Sequence, residues 1–147
     1  MSALQAQLAT PICLDEAVVD LDDIGTMLAL QAGRILNIKV SRMGGLTVAL
    51  AAHNIARDAG IPVWCGGMHE FGIGRAANVA LSSLPGFTYP SDVSASDKYY
   101  ERDIIDPPVT ADHGMVRVPT EVGLGHTVLT DWILHNTISH EHYGETR

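Results

Sequence analysis

Three short apolar runs recur along the first half of the chain, and each ends in polar or glycine-rich residues. Ile12-Cys13-Leu14 runs into Asp15-Glu16, Ile35-Leu36-Asn37-Ile38 into Lys39, and Pro62-Val63-Trp64-Cys65 into Gly66-Gly67-Met68-His69-Glu70. Runs of this length read as buried strands. Helical periodicity fills the gaps. After an N-cap at Asp20, Leu21, Ile24, Leu28 and Gln31 mark one face, with Gly33 as the stop. Gly44-Gly45 opens a second helix with Leu46, Leu50, Ile55 and Ala59 inward, closed by Gly60. Arg75–Leu84 reads as a third helix before Pro85-Gly86, and Phe87–Tyr89 as a fourth strand. Residues 2–8 read as the end of a preceding helix, broken at Thr10-Pro11.

The order β-α-β-α-β-α-β with short connections predicts a parallel α/β sheet. Strand starts recur every 23 to 27 residues, a tight repeat that favours a (β/α)8 barrel over a doubly wound sheet. The dinucleotide fingerprint is absent: no Gly-x-Gly-x-x-Gly follows the first strand. A barrel needs eight strands, and this pattern supplies four. Residues 1–98 therefore read as half a barrel and 99–138 as a C-terminal extension. In the extension, Asp103–Val109 and Met115–Pro119 look extended around an Asp112-His113-Gly114 turn. Thr127–Ile138 reads as a terminal helix, and residues 139–147 as a polar tail.

Composition narrows the function classes. A formal charge of −8 argues against a nucleic-acid footprint, which would be basic. The N-terminus lacks a basic segment and a long apolar run, so a signal peptide is not expected, and no stretch is long enough to span a bilayer. A soluble cytoplasmic protein is the expectation. Cys13 and Cys65 both fall within the strands and read as buried, reduced core residues.

In a parallel α/β sheet all strand C-termini share one edge, where ligands bind. Asp15 at such an edge suits a hard cation, or else is a plain loop carboxylate. Glu16, adjacent to it, is expected to point to the other side. Lys39 at the end of a buried run suits proton transfer if burial lowers its pKa, or is a strand-end lysine with its head in water. Gly66-Gly67-Met68 lets backbone amides approach a ligand, or forms a tight turn. His69 and Glu70 suit acid–base work, with nothing upstream to orient them. His140-Glu141-His142 lies in the expected tail and is given no metal role. The serines of 91–96 lack a nucleophile-elbow context.

Taken together, the segments Thr10–Glu16, Asn37–Gly45, Ile61–Met68, Gly72–Asn78 and Ser91–Lys98 resemble the enolase superfamily. Within it they are more similar to the branch of o-succinylbenzoate synthases and N-succinylamino (N-acylamino) acid racemases. The resemblance runs to about Gly125 and is most specific from Trp64 to Asn78. It implies the C-terminal half of a modified (β/α) barrel, beginning at the fifth strand. It implies Asp15 as the last of three carboxylate ligands to Mg2+, and Lys39 as one of two lysines flanking the substrate α-carbon. Gly67, Met68 and His69 would line the pocket for the succinyl or acyl arm. The implied chemistry is abstraction of a proton α to a carboxylate. It leads to dehydration in the menaquinone pathway in the synthase, or to return of a proton by the second lysine in the racemase. Ala17, Val40-Ser41 and Phe71 depart from the pattern, and the match weakens after Thr130.

The other lysine, the other two carboxylates and the capping domain are not in this chain. The expected partners are thus a small carboxylate substrate and either a missing N-terminal half or further copies of the chain. The alternatives are a half-barrel subunit of a split enzyme and a non-catalytic remnant. Alone, the chain is expected to be inactive, and oligomeric or poorly folded.

Overall fold

The computed structural model describes residues 1–144. A short helix α1 (Ser2–Gln5) leads to β1 (Cys13–Leu14). Then come α2 (Leu21–Leu30), β2 (Ile35–Ile38), α3 (Leu46–Asp58), β3 (Val63–Cys65) and α4 (Gly72–Ser82). The strands form a parallel sheet in the order β1-β2-β3. Leu14 pairs with Leu36, Leu36 with Val63, and Ile38 with Cys65. Alternation along each strand sends Leu14, Leu36, Ile38, Val63 and Cys65 into the helix-side core with Ile24, Met27, Ala49, Ala52, Ala56 and Val79. Cys13, Asn37 and Trp64 take the opposite face, which would be the interior of a closed barrel.

The fourth expected strand is reduced to a single parallel bridge between Val63 and Phe87. Phe87 instead stacks on His53, with ring centroids 5.3 Å apart.

Helix α2 begins where its sequence predicts. The Asp20 carboxylate accepts from the Asp23 amide, and Asp23 accepts from the Val19 amide. It stops at Gln31, which adopts the left-handed conformation at φ 50, rather than at Gly33. Gly33 serves a different need. A Cβ there would lie 2.9 Å from the Leu14 side chain and 3.0 Å from the Ile12 carbonyl, so its absence lets the chain re-enter the sheet against β1.

Helix α3 buries Ala49, Ala52, His53 and Ala56, and of the four residues expected inward Ile55 alone packs against the core. Leu46 and Leu50 are exposed, and so is Ala59. Small alanines let the helix axis approach the sheet closely, and this close packing outweighs the larger leucines in choosing the buried face.

Cys13 is also corrected. It is an exposed free thiol whose Sγ accepts from Trp64 Nε1 at 3.2 Å, whereas Cys65 is a buried free thiol.

After α4 the chain makes a 3-10 turn (Ser96–Lys98), then β4 (Ile105–Asp106), β5 (Thr127–Val128) and α5 (Thr130–His135). Strand β4 pairs antiparallel with β5, not with residues 115–119. The expected Asp112-His113-Gly114 turn is present, closed by the Asp112–Met115 bridge. Because residues 127 and 128 pair as strand, the terminal helix is shorter than expected. Residues 139–144 carry no helix or strand, and the rest of the expected tail lies outside the described residues. Ile105 and Val109 join the same apolar core as the sheet, so the extension packs as part of one body.

Candidate active site

Because β1 and β2 are parallel neighbours, their C-terminal ends lie side by side. Asp15 follows β1 and Lys39 follows β2. The Lys39 ammonium donates to Asp15 Oδ2 at 3.0 Å. Arg42 donates to the other oxygen, Oδ1. Arg42 is itself anchored, with Nε on the Val18 carbonyl at 3.1 Å and a second guanidinium nitrogen on the Asn37 carbonyl at 2.9 Å. One carboxylate is thus clamped between two cations on a rigid strand edge.

The electrostatics follow from this clamp. Partial burial disfavours the Asp15 anion, but hydrogen bonds from Arg42 and then Lys39 outweigh it and hold its pKa below the ordinary value. The hydrogen bond to Asp15 raises the Lys39 pKa and outweighs desolvation, which acts the other way. This corrects the expectation that burial lowers it: a paired lysine gains more from its counter-ion than it loses from water. Glu16 is corrected too. Its exposed carboxylate comes within 3.6 Å of the Lys39 ammonium on the same side as Asp15.

The third strand end meets the other two. The Gly66 amide donates to the Ile38 carbonyl at 3.0 Å and prolongs the ladder. A Cβ on Gly66 would lie 2.5 Å from Asn37 Oδ1 and 2.8 Å from Lys39 Cε, so only glycine permits this approach. The Gly67 amide donates to Asp92 Oδ1, and the Met68 amide to Glu70 Oε2 at 2.7 Å. Both amides are therefore held by carboxylates of this chain. The other Glu70 oxygen accepts from Asn78 at 3.1 Å, so Glu70 orders the loop. Met68 and His69 are exposed, and the His69 ring lies against Tyr99, centroids 4.5 Å apart.

Two residues carry weight that the strand pattern did not reveal. Arg42 sits three residues after Lys39, and its spacing was the available signal. Asn37 is fully buried beside Lys39 with both amide atoms unpaired, and it sits in an apolar run. Among the described residues, no three His, Cys, Asp or Glu side chains gather in a way that could hold a metal ion. At this edge both oxygens of Asp15 are paired to cations, and Glu16 adds an exposed carboxylate beside Lys39. Among the described residues, no helix is long and apolar enough to cross a membrane.

The family model described as enolase C-terminal domain-like matches residues 1–132. The chain is 50% identical over 125 residues to an o-succinylbenzoate synthase of Geobacillus stearothermophilus, covering 85% of this chain and 33% of the relative. It is 51% identical over 122 residues to an N-succinylamino acid racemase of an Amycolatopsis species, covering 83% and 33%. A solved enolase-superfamily member from Listeria innocua superposes with a TM-score of 0.88 at 38% identity, over 94% of this chain and 37% of that one. The chain thus spans about a third of the length of these relatives, and its fold is part of a larger α/β barrel. With its strand edge, its parallel register and a family match over most of its length, this chain belongs to the enolase C-terminal domain-like family.

Proposed function

We propose that this chain is the C-terminal part of a cytoplasmic enzyme that abstracts a proton α to a carboxylate. The reaction is o-succinylbenzoate synthesis by dehydration, N-succinylamino acid racemisation, or both. The observation that carries the proposal is the pairing of Asp15 and Lys39 at 3.0 Å across adjacent strand ends. It supports the reading because a lysine and a carboxylate share one strand edge in a chain equally similar to proteins of both names.

Lys39 is the acid–base residue on one face of the α-carbon. A second base on the opposite face lies outside this chain. Asp15 would supply one oxygen to the shell of Mg2+ by giving up one of its present cation contacts, and carboxylates from the rest of the barrel would complete the shell. When bound, the cation stabilises negative charge on the substrate carboxylate. Gly67, Met68 and His69 line the wall facing the succinyl or acyl arm. Arg42 holds Asp15 in place through its anchors on Val18 and Asn37.

Alone, the chain leaves the sheet edge of β1 open and Cys13 on the inner face exposed, and we expect it to self-associate. The test is reconstitution. The chain is combined with the barrel half it lacks, and Mg2+-dependent dehydration and racemisation are assayed. Activity that requires both parts and is lost in Lys39→Ala supports the proposal. A folded reconstituted barrel with neither activity rejects it in favour of a non-catalytic subunit.

A further inference from the structure

The loop between β3 and α4 is gripped from outside by the C-terminal extension at three of four consecutive residues. The Tyr100 hydroxyl donates to the His69 carbonyl. The Tyr100 ring stacks on Phe71, centroids 4.2 Å apart and 21° from parallel. The Asp103 carboxylate accepts from the Gly72 amide at 2.8 Å and caps α4. Tyr99 adds a second layer between His69 and the buried guanidinium of Arg75, which lies 5.0 Å from its ring. Both tyrosines are set by the 3-10 turn, where their amides donate to the Ser96 carbonyl at 3.1 Å.

The hydrogen bond from Tyr100 is not needed to satisfy a buried group. His69 is exposed, and water would serve its carbonyl as well. What the bond adds is direction. The Asp92 and Glu70 carboxylates hold the amides at the start of the loop, and Tyr100 holds the carbonyl at its end. With both ends tied, the backbone of Gly67, Met68 and His69 is held in one conformation.

We infer that Tyr100 is a positioning residue for the acyl arm of the substrate, acting through the His69 carbonyl. This rests on the reading above that Gly67, Met68 and His69 line the acyl pocket. The extension thereby becomes part of the specificity apparatus, about thirty residues away from the loop it controls.

The test is Tyr100→Phe, which keeps the ring on Phe71 and removes only the hydroxyl. In the complete enzyme, KM for an N-succinylamino acid should rise about five-fold with kcat within about two-fold, the size of one lost hydrogen bond. KM for the N-acetyl counterpart, whose arm is shorter, should change less. Amide hydrogen exchange at Gly67–Glu70 should quicken, with no change in α4 from Ala76 to Leu81. Equal KM shifts for the two substrates, or unchanged exchange in the loop, overturn the inference. Absence of turnover by the unsubstituted enzyme on both substrates rejects the proposed reaction instead, and loop exchange then decides by itself whether Tyr100 holds the loop.

Discussion

The Lys39 ammonium lies 3.0 Å from Asp15 Oδ2, across 24 residues of chain, because parallel pairing of β1 with β2 puts their ends in register. Arg42 closes on the second oxygen. Asp15 is the shared centre of the three charges.

Lys39 and Asp15 should differ in how far chemistry separates from folding. In the complete enzyme, Lys39→Ala should lower kcat by about a thousand-fold, the usual scale for a lost general acid–base group, while circular dichroism stays native. Asp15→Asn should cost activity and also about 1–3 kcal/mol of stability, since it removes the carboxylate shared by Lys39 and Arg42 and leaves Lys39 only the exposed Glu16. Steady-state kinetics and urea titration check the two effects.

The same pair sets a pH window for stability. Asp15 has a lowered folded pKa, so its contribution is present above the ordinary carboxylate value of about 4 and is lost as pH falls through the folded value. Lys39 has a raised folded pKa, so its contribution is present below the ordinary lysine value of about 10.4 and is lost as pH rises through the folded value. Thermal melts from pH 3 to 11 should show a plateau between these limits, narrowed at the acid end in Lys39→Met.

Gly72→Ala should detach the extension from α4. The added methyl would lie 2.3 Å from the Ile105 side chain and 2.5 Å from Asp103 Oδ2, both well inside contact distance. A loss of about 1–3 kcal/mol is expected from overpacking. Limited proteolysis should cut the variant between residues 99 and 130 faster than the parent.

The two thiols should differ in reactivity. Burial pushes the Cys65 thiol up to about 11 and shields it from reagents. Cys13 is exposed, although desolvation by its neighbours raises its pKa as well. Mass spectrometry after alkylation at pH 8 should find label on Cys13 in the native protein and on both only after unfolding.

The strands around Leu14, Leu36 and Val63 and the cap at Asp20 were legible in the residues themselves, because they depend on local propensity and near-neighbour hydrogen bonds. The segments around Trp64 and Asn78 also carried the family resemblance. Asp15 and Lys39 were singled out for the same reason: a charged residue ending an apolar run stands out in one dimension. Other features depended on distant parts of the chain. Which face of α3 is buried was decided by how closely its alanines approach the sheet. The fate of Phe87 was decided by the His53 ring, and the pairing of β4 by residues 127 and 128 rather than by the nearer turn. The raised pKa of Lys39 required knowing that Asp15 shares its edge. Sequence pattern reports what each segment prefers alone; pairing, burial and charge neutralisation arise only when segments remote in the chain share the same space.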